Sequence, residues 1–127
     1  PPQPQPSADG AKGTNNVAHY VSRLLRRAHK EGAVVAADAE RAATAFEAAR
    51  KANEEGDYSR AVASFEESYL HNPRPSTLIS TANMYLKMGN SSIATEIYGR
   101  LLAQPDLPEG MRNVVLRKLA EASIASS

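Results

Sequence analysis

"GDYSRAVASFEESYLHNPRP", residues 56–75, opens on a glycine, runs through apolar residues at helical spacing and closes on two prolines. Ala61, Val62, Phe65 and Tyr69 fall on one side of a helix, and the prolines stop it. The phrase returns as "GNSSIATEIYGRLL", residues 89–102. The shift that carries Gly56 onto Gly89 also carries Asp57 onto Asn90, Ala61 onto Ala94 and Phe65 onto Tyr98, so the stretch is one copy of an internal repeat. In each copy glycine permits a sharp turn, alanine lets the next helix press on the previous one, and the aromatic fills the space toward the following pair.

Further helices read outward from this repeat. An alanine-rich helix runs from Val34 or Asp38 to Glu55, with Ala42, Ala45, Phe46, Ala49 and Ala52 as its inner side. Between the copies, Leu78, Ile79, Ala82, Tyr85 and Leu86 form another stripe, and Ile93, Ala94, Ile97, Tyr98, Leu101 and Leu102 the next. Toward the C-terminus, Asp106 stands three residues before Glu109 as in a capping box, with Pro108 in a first turn, and Met111, Val114, Val115 and Leu119 point inward. Toward the N-terminus, Asn15 or Asn16 caps a helix that ends near Gly32. Its apolar stripe is Val17, Tyr20, Val21, Leu24, Leu25 and Ala28, and its opposite side carries His19, Arg23, Arg26, Arg27 and Lys30. Residues 1–14, "PPQPQPSADGAKGT", lack apolar periodicity and read as a disordered or extended proline-rich arm.

The phrases "GDYSRAVASFEESYLHNP" and "ANMYLKMGNSSIATEIYGRLL" resemble those of the tetratricopeptide-repeat (TPR) family, with Tyr85 at the family's first-helix aromatic position and Pro73 at its repeat-closing proline. The run "HNPRPSTLISTANMYLKMGN" is also similar to repeats of bacterial envelope proteins. The resemblance covers residues 40–105. It implies an all-α fold of antiparallel hairpins stacked as a short right-handed solenoid, divided into an arm (1–14), a basic amphipathic helix (15–31), two hairpins (34–105) and a C-terminal capping helix (106–124). Ala45 and Ala52 depart from the family by standing where large aromatics are usual, so the first hairpin is expected to pack more tightly or to hold something in the vacated space. Stacked hairpins need about three units to close a core. Only two are clear, so the first and last helices are expected to cap the ends, or a partner to do so.

Composition limits the chemistry. The chain has 127 residues and no cysteine, which removes disulfides, thiolate metal sites and cysteine nucleophiles. His19, His29 and His71 are too scattered for a helical metal pair, and no phosphate loop, nucleophile elbow or zinc-hydrolase motif occurs. The reading is no enzyme, no cofactor, no metal and no small-molecule substrate. Residues 1–37 carry five Lys/Arg against two Asp/Glu, and residues 38–67 four against eight, so charge is unevenly spread along a chain of net charge +1. The chain starts at proline, which reads as a processed form or a fragment and leans toward an envelope, periplasmic or organellar location.

Two binding surfaces follow. The TPR resemblance implies that a partner segment lies along the first helix of each hairpin, against Phe46, Arg50, Asn53, Ile79, Asn83, Leu86 and Lys87. This makes the chain an adaptor or accessory subunit of a larger protein complex. With Phe46 and Arg50 at the first two clamp positions, the family's carboxylate clamp is not expected. The second surface is the basic face of Arg23, Arg26, Arg27 and Lys30, which suits an anionic membrane surface or nucleic acid. The lack of interleaved aromatics and the near-neutral total charge count against nucleic acid.

Overall fold

The computed structural model describes residues 14–30 and 36–126, with side chains from Asn16 to Ala28 and from Ala36 to Ala125. Most of the predicted arm, the Gly32 stop and the side chain of Lys30 lie outside these residues. The described residues form six helices and no strand: α1 (Thr14–Lys30), α2 (Ala36–Glu54), α3 (Tyr58–His71), α4 (Pro75–Lys87), α5 (Ser91–Leu102) and α6 (Glu109–Ser126). From α2 to α6 each helix packs on the next in chain order.

The repeat seen in the sequence is a repeat of backbone geometry. At the end of α2 the Gly56 N–H bonds to the Asn53 carbonyl and the Asp57 N–H to the Ala52 carbonyl. At the end of α4 the Gly89 N–H bonds to the Leu86 carbonyl and the Asn90 N–H to the Tyr85 carbonyl, the same two pairs moved on by one repeat. This paired closure needs a left-handed residue, and Gly56 and Gly89 have φ of 79° and 81°. No atom lies near the Cβ that either glycine lacks, so the backbone conformation alone selects glycine. Each turn then starts the next helix with a side-chain cap. Asp57 accepts the Arg60 N–H at 3.2 Å, and Asn90 accepts the Ile93 N–H at 3.3 Å.

Small residues set the helix spacing. Ala42, Ala45, Ala49 and Ala52 of α2 are all buried, and Ala61 and Ala94 are wholly so. Phe65, Val62 and Met84 fill the small core beside Ala49, Ala52 and Ala61. The larger core holds Leu78, Ile97, Tyr98, Leu101 and Val115, with Tyr85 packed against both cores. Ala45 and Ala52 are both covered by the packing, and an open surface cleft of about 490 Å³ lies beside Ala45 and Ala48.

Three expectations change. The proline pair after α3 divides its work: Pro75 sits in the first turn of α4 instead of only stopping α3, because its fixed φ and missing donor suit that position. Asp106 does not cap α6. That helix begins at Glu109 with the Arg112 N–H bonded to the Pro108 carbonyl, since burying Leu107 takes up the intervening residues in a turn. Finally, α1 does not stack beyond α2 as an end cap. It lies across α3 and α5, where Val21, Leu24 and Ala28 join the core of Tyr69, Ile97 and Leu101.

Candidate functional site: an open groove between α2, α4 and α6

The i, i+4, i+7 spacing of Phe46, Arg50 and Asn53 puts them on one face of α2. Asn83, Leu86 and Lys87 belong to α4, and the packing of the helices brings both sets to a single groove of about 540 Å³. Its floor is apolar, from Phe46, Phe65, Met84 and Leu86, and its rim is polar. Phe46 meets Phe65 edge to face, with ring centroids 5.2 Å apart, so the aromatic part of the floor is fixed in place. A smaller cleft of about 270 Å³ between Ala43, Arg74 and Thr77 shares Phe46 as a wall.

The polar groups of the groove are held by neighbours. Tyr98 donates its hydroxyl to Asn83 Oδ1 at 2.6 Å, which orients that amide. Lys87 Nζ donates to Asn53 Oδ1 at 2.9 Å and lies 5.4 Å from the Tyr58 ring centroid, tying α4 to α2 across the groove. Arg50 reaches Glu47 and Glu54 on its own helix, at 2.6 Å each. The Arg50 hydrogen bond and charge hold the Glu47 carboxyl below the usual carboxylate range. Such exposed pairs add little stability, but they neutralise Arg50 as a cation toward a ligand.

Six of the seven groove residues named from the sequence line this cavity, and Ile79 does not. Only 9% exposed, Ile79 is drawn into the core with Leu78 and Ile97, because an aliphatic side chain gains more there than at a wet rim. The sequence reading missed Phe65, Ser80, Met84, Lys118 and Glu121. Lys118 had no signal in the repeat: the shift carries Ala52 onto Tyr85 and Tyr85 onto Lys118, and neither Ala52 nor Tyr85 lines the groove.

The second surface is separate. Arg23, Arg26 and Arg27 are exposed on α1, and the helix's apolar stripe is turned into the protein core. Polar contacts hold that orientation. Arg100 donates to Ser22 Oγ at 2.9 Å and to the Ala18 carbonyl at 3.4 Å, while its own charge is met by Glu96 at 2.8 Å. The Tyr20 and Tyr85 hydroxyls lie 2.9 Å apart, and Tyr85 is 3.2 Å from Glu66 Oε2. An ionised carboxylate can only accept, so Tyr85 donates to Glu66 and Tyr20 donates to Tyr85.

Burial pushes the Glu66 carboxyl above its ordinary value, with the Tyr85 hydrogen bond opposing. The folded state therefore favours the neutral form. This contribution is intact below the usual carboxylate value near ~4.3 and is lost as pH rises through the raised one. Glu66→Gln, which keeps an acceptor for Tyr85, should melt at a higher temperature than the parent at pH 7 and at the same temperature near pH 4. Equal melting temperatures at both pH values would show that Glu66 carries no such cost.

Among the described residues no group of three or more His, Asp or Glu is placed to hold a metal ion, and no helix is long and apolar enough to cross a membrane. No family model, no curated protein and no solved structure matches the chain.

Proposed function

We propose that this chain is a non-enzymatic helical-repeat module of the TPR type, a short right-handed stack that holds a segment of a partner protein and serves as an adaptor or accessory subunit of a larger complex. The observation that carries the reading is the groove. Phe46, Arg50, Asn53, Asn83, Leu86 and Lys87, six of the seven residues that the TPR resemblance implies, converge on one open cavity with an apolar floor and a polar rim. That composition suits a peptide or helix that anchors one or two apolar side chains and satisfies its polar groups at the edge.

The basic row of α1 supports a weaker reading. With the apolar stripe of that helix committed to the core, a membrane would be met by charge alone, at about 1 kcal/mol per basic residue near an anionic surface. Arg23, Arg26, Arg27 and Lys30 together then contribute ~4 kcal/mol, the strength of a millimolar complex and no more.

The test is co-purification of the intact chain with mass-spectrometric identification of what accompanies it, run beside two variants. Ser80→Arg fills the groove from a partly exposed position. The triple change Arg23→Glu, Arg26→Glu and Arg27→Glu reverses the α1 row. The groove reading expects the companion protein to be lost with Ser80→Arg and kept with the triple variant. The opposite pattern would transfer the function to α1.

A further inference from the structure

Three large apolar side chains are exposed among the described residues, and two of them lie on α6: Leu116 at 49% and Ile124 at 75%. Midway between them is Ala120, also exposed. Residues 116, 120 and 124 form an i, i+4, i+8 ridge. At 100° per residue it lies about 150° around the helix from Val115 and Ala122, which are buried. The repeat indicates what such a face does. The shift that carries Gly56 onto Gly89 carries Asn83 onto Leu116, and Asn83 receives the Tyr98 hydroxyl from the helix that follows α4. Leu116 thus holds a position where another helix would land.

The ridge is complementary to itself. About Ala120 it reads large, small, large in both directions, with equal spacing. When it is laid antiparallel on a copy of itself with a two-fold axis at Ala120, Leu116 meets Ile124 of the second copy at both ends. The two alanines let the helices approach closely. Interdigitating i±4 ridges give a crossing angle of about −50°. The flanking charges agree: Arg117 and Glu121 are exposed, opposite in sign and on the same side of the ridge. The two-fold keeps that side together and brings Arg117 toward Glu121 of the second copy.

We propose that the chain associates with a second copy of itself as a symmetric, antiparallel pair through Leu116, Ala120 and Ile124 of α6. The patch is small, so the pair is weak and reversible. Most of the groove, on the α2 and α4 side, stays open in it, and the pair presents two grooves at once.

Sedimentation equilibrium of the full chain from low to high micromolar concentration tests this. A reversible dimer is expected, and Leu116→Lys or Ile124→Lys should each weaken it at least about tenfold, with unchanged circular dichroism and melting of the monomer. The chain has no cysteine, so a single introduced one reports the axis. Ala120→Cys treated with oxidised glutathione should give a covalent dimer, because the two-fold places the paired Cβ atoms within disulfide reach. Asn113→Cys, exposed on the same helix, should not. A monomer at every concentration overturns the proposal and leaves the ridge to a helix of some other protein. A dimer indifferent to both lysine variants, or equal cross-linking at 113 and 120, overturns it as well.

Discussion

Tyr98→Ala is expected to destabilise the chain by about 3–5 kcal/mol, the cost of emptying an aromatic site in a closed core. Tyr98 has no exposed surface and shares the larger core with Leu78, Ile97, Leu101 and Val115, so α4, α5 and α6 all lose contacts at once. The ring accounts for most of this. Tyr98→Phe keeps the ring and removes only the hydroxyl at 2.6 Å from Asn83 Oδ1, for about 1–1.5 kcal/mol. Urea unfolding of the two variants separates the parts, and losing no more to alanine than to phenylalanine would contradict the packing. The buried, ring-bound hydroxyl also resists ionisation: burial first, and the Glu121 charge second, push its pKa upward.

Val21→Asp is the second large effect, also about 3–5 kcal/mol, because it buries a charge with no partner. Val21 is wholly buried on the side of α1 that faces α3 and α5. What fails should be the docking of that helix. Hydrogen exchange should show α1 and the facing sides of α3 and α5 losing protection, while the turns at Gly56 and Gly89 keep theirs. Acidification toward the carboxylate range should return part of the loss, since a neutral aspartic acid is cheaper to bury. Uniform loss of protection over all six helices would mean that α1 cannot be separated from the rest.

The paired glycines were legible in the sequence because each marks a local device, a sharp turn between helices, whereas Asp57 and Asn90 were read only as a matched pair and not as the caps they are. The alanine stripe of α2 was legible too, since helical spacing fixes a face without reference to other helices. Six of the groove residues came instead from the TPR resemblance, which transfers positions on the first helix of each hairpin. The placement of α1 was not legible. Periodicity gives Val21, Leu24 and Ala28 an inner side but does not say which helices that side meets. The answer lies in Tyr85, Glu66 and Arg100, whose contacts with α1 or with each other span 19 to 82 residues of chain. Ile79 was misplaced for a related reason: a repeat transfers a position, but the second pair of helices is covered where the first is open.

The route of α1 also orders events during synthesis. Ser22 and Arg100, which meet in the finished protein, are 78 residues apart. At about 5–20 residues per second the ribosome takes about 4–16 s to supply the second after the first. Through that interval a helix with a greasy side and an arginine side has at most α3, one of the two helices it finally crosses, to lie on. Whatever shields it then, whether a chaperone or a neighbouring nascent chain, acts before the protein has the whole surface α1 will finally cover.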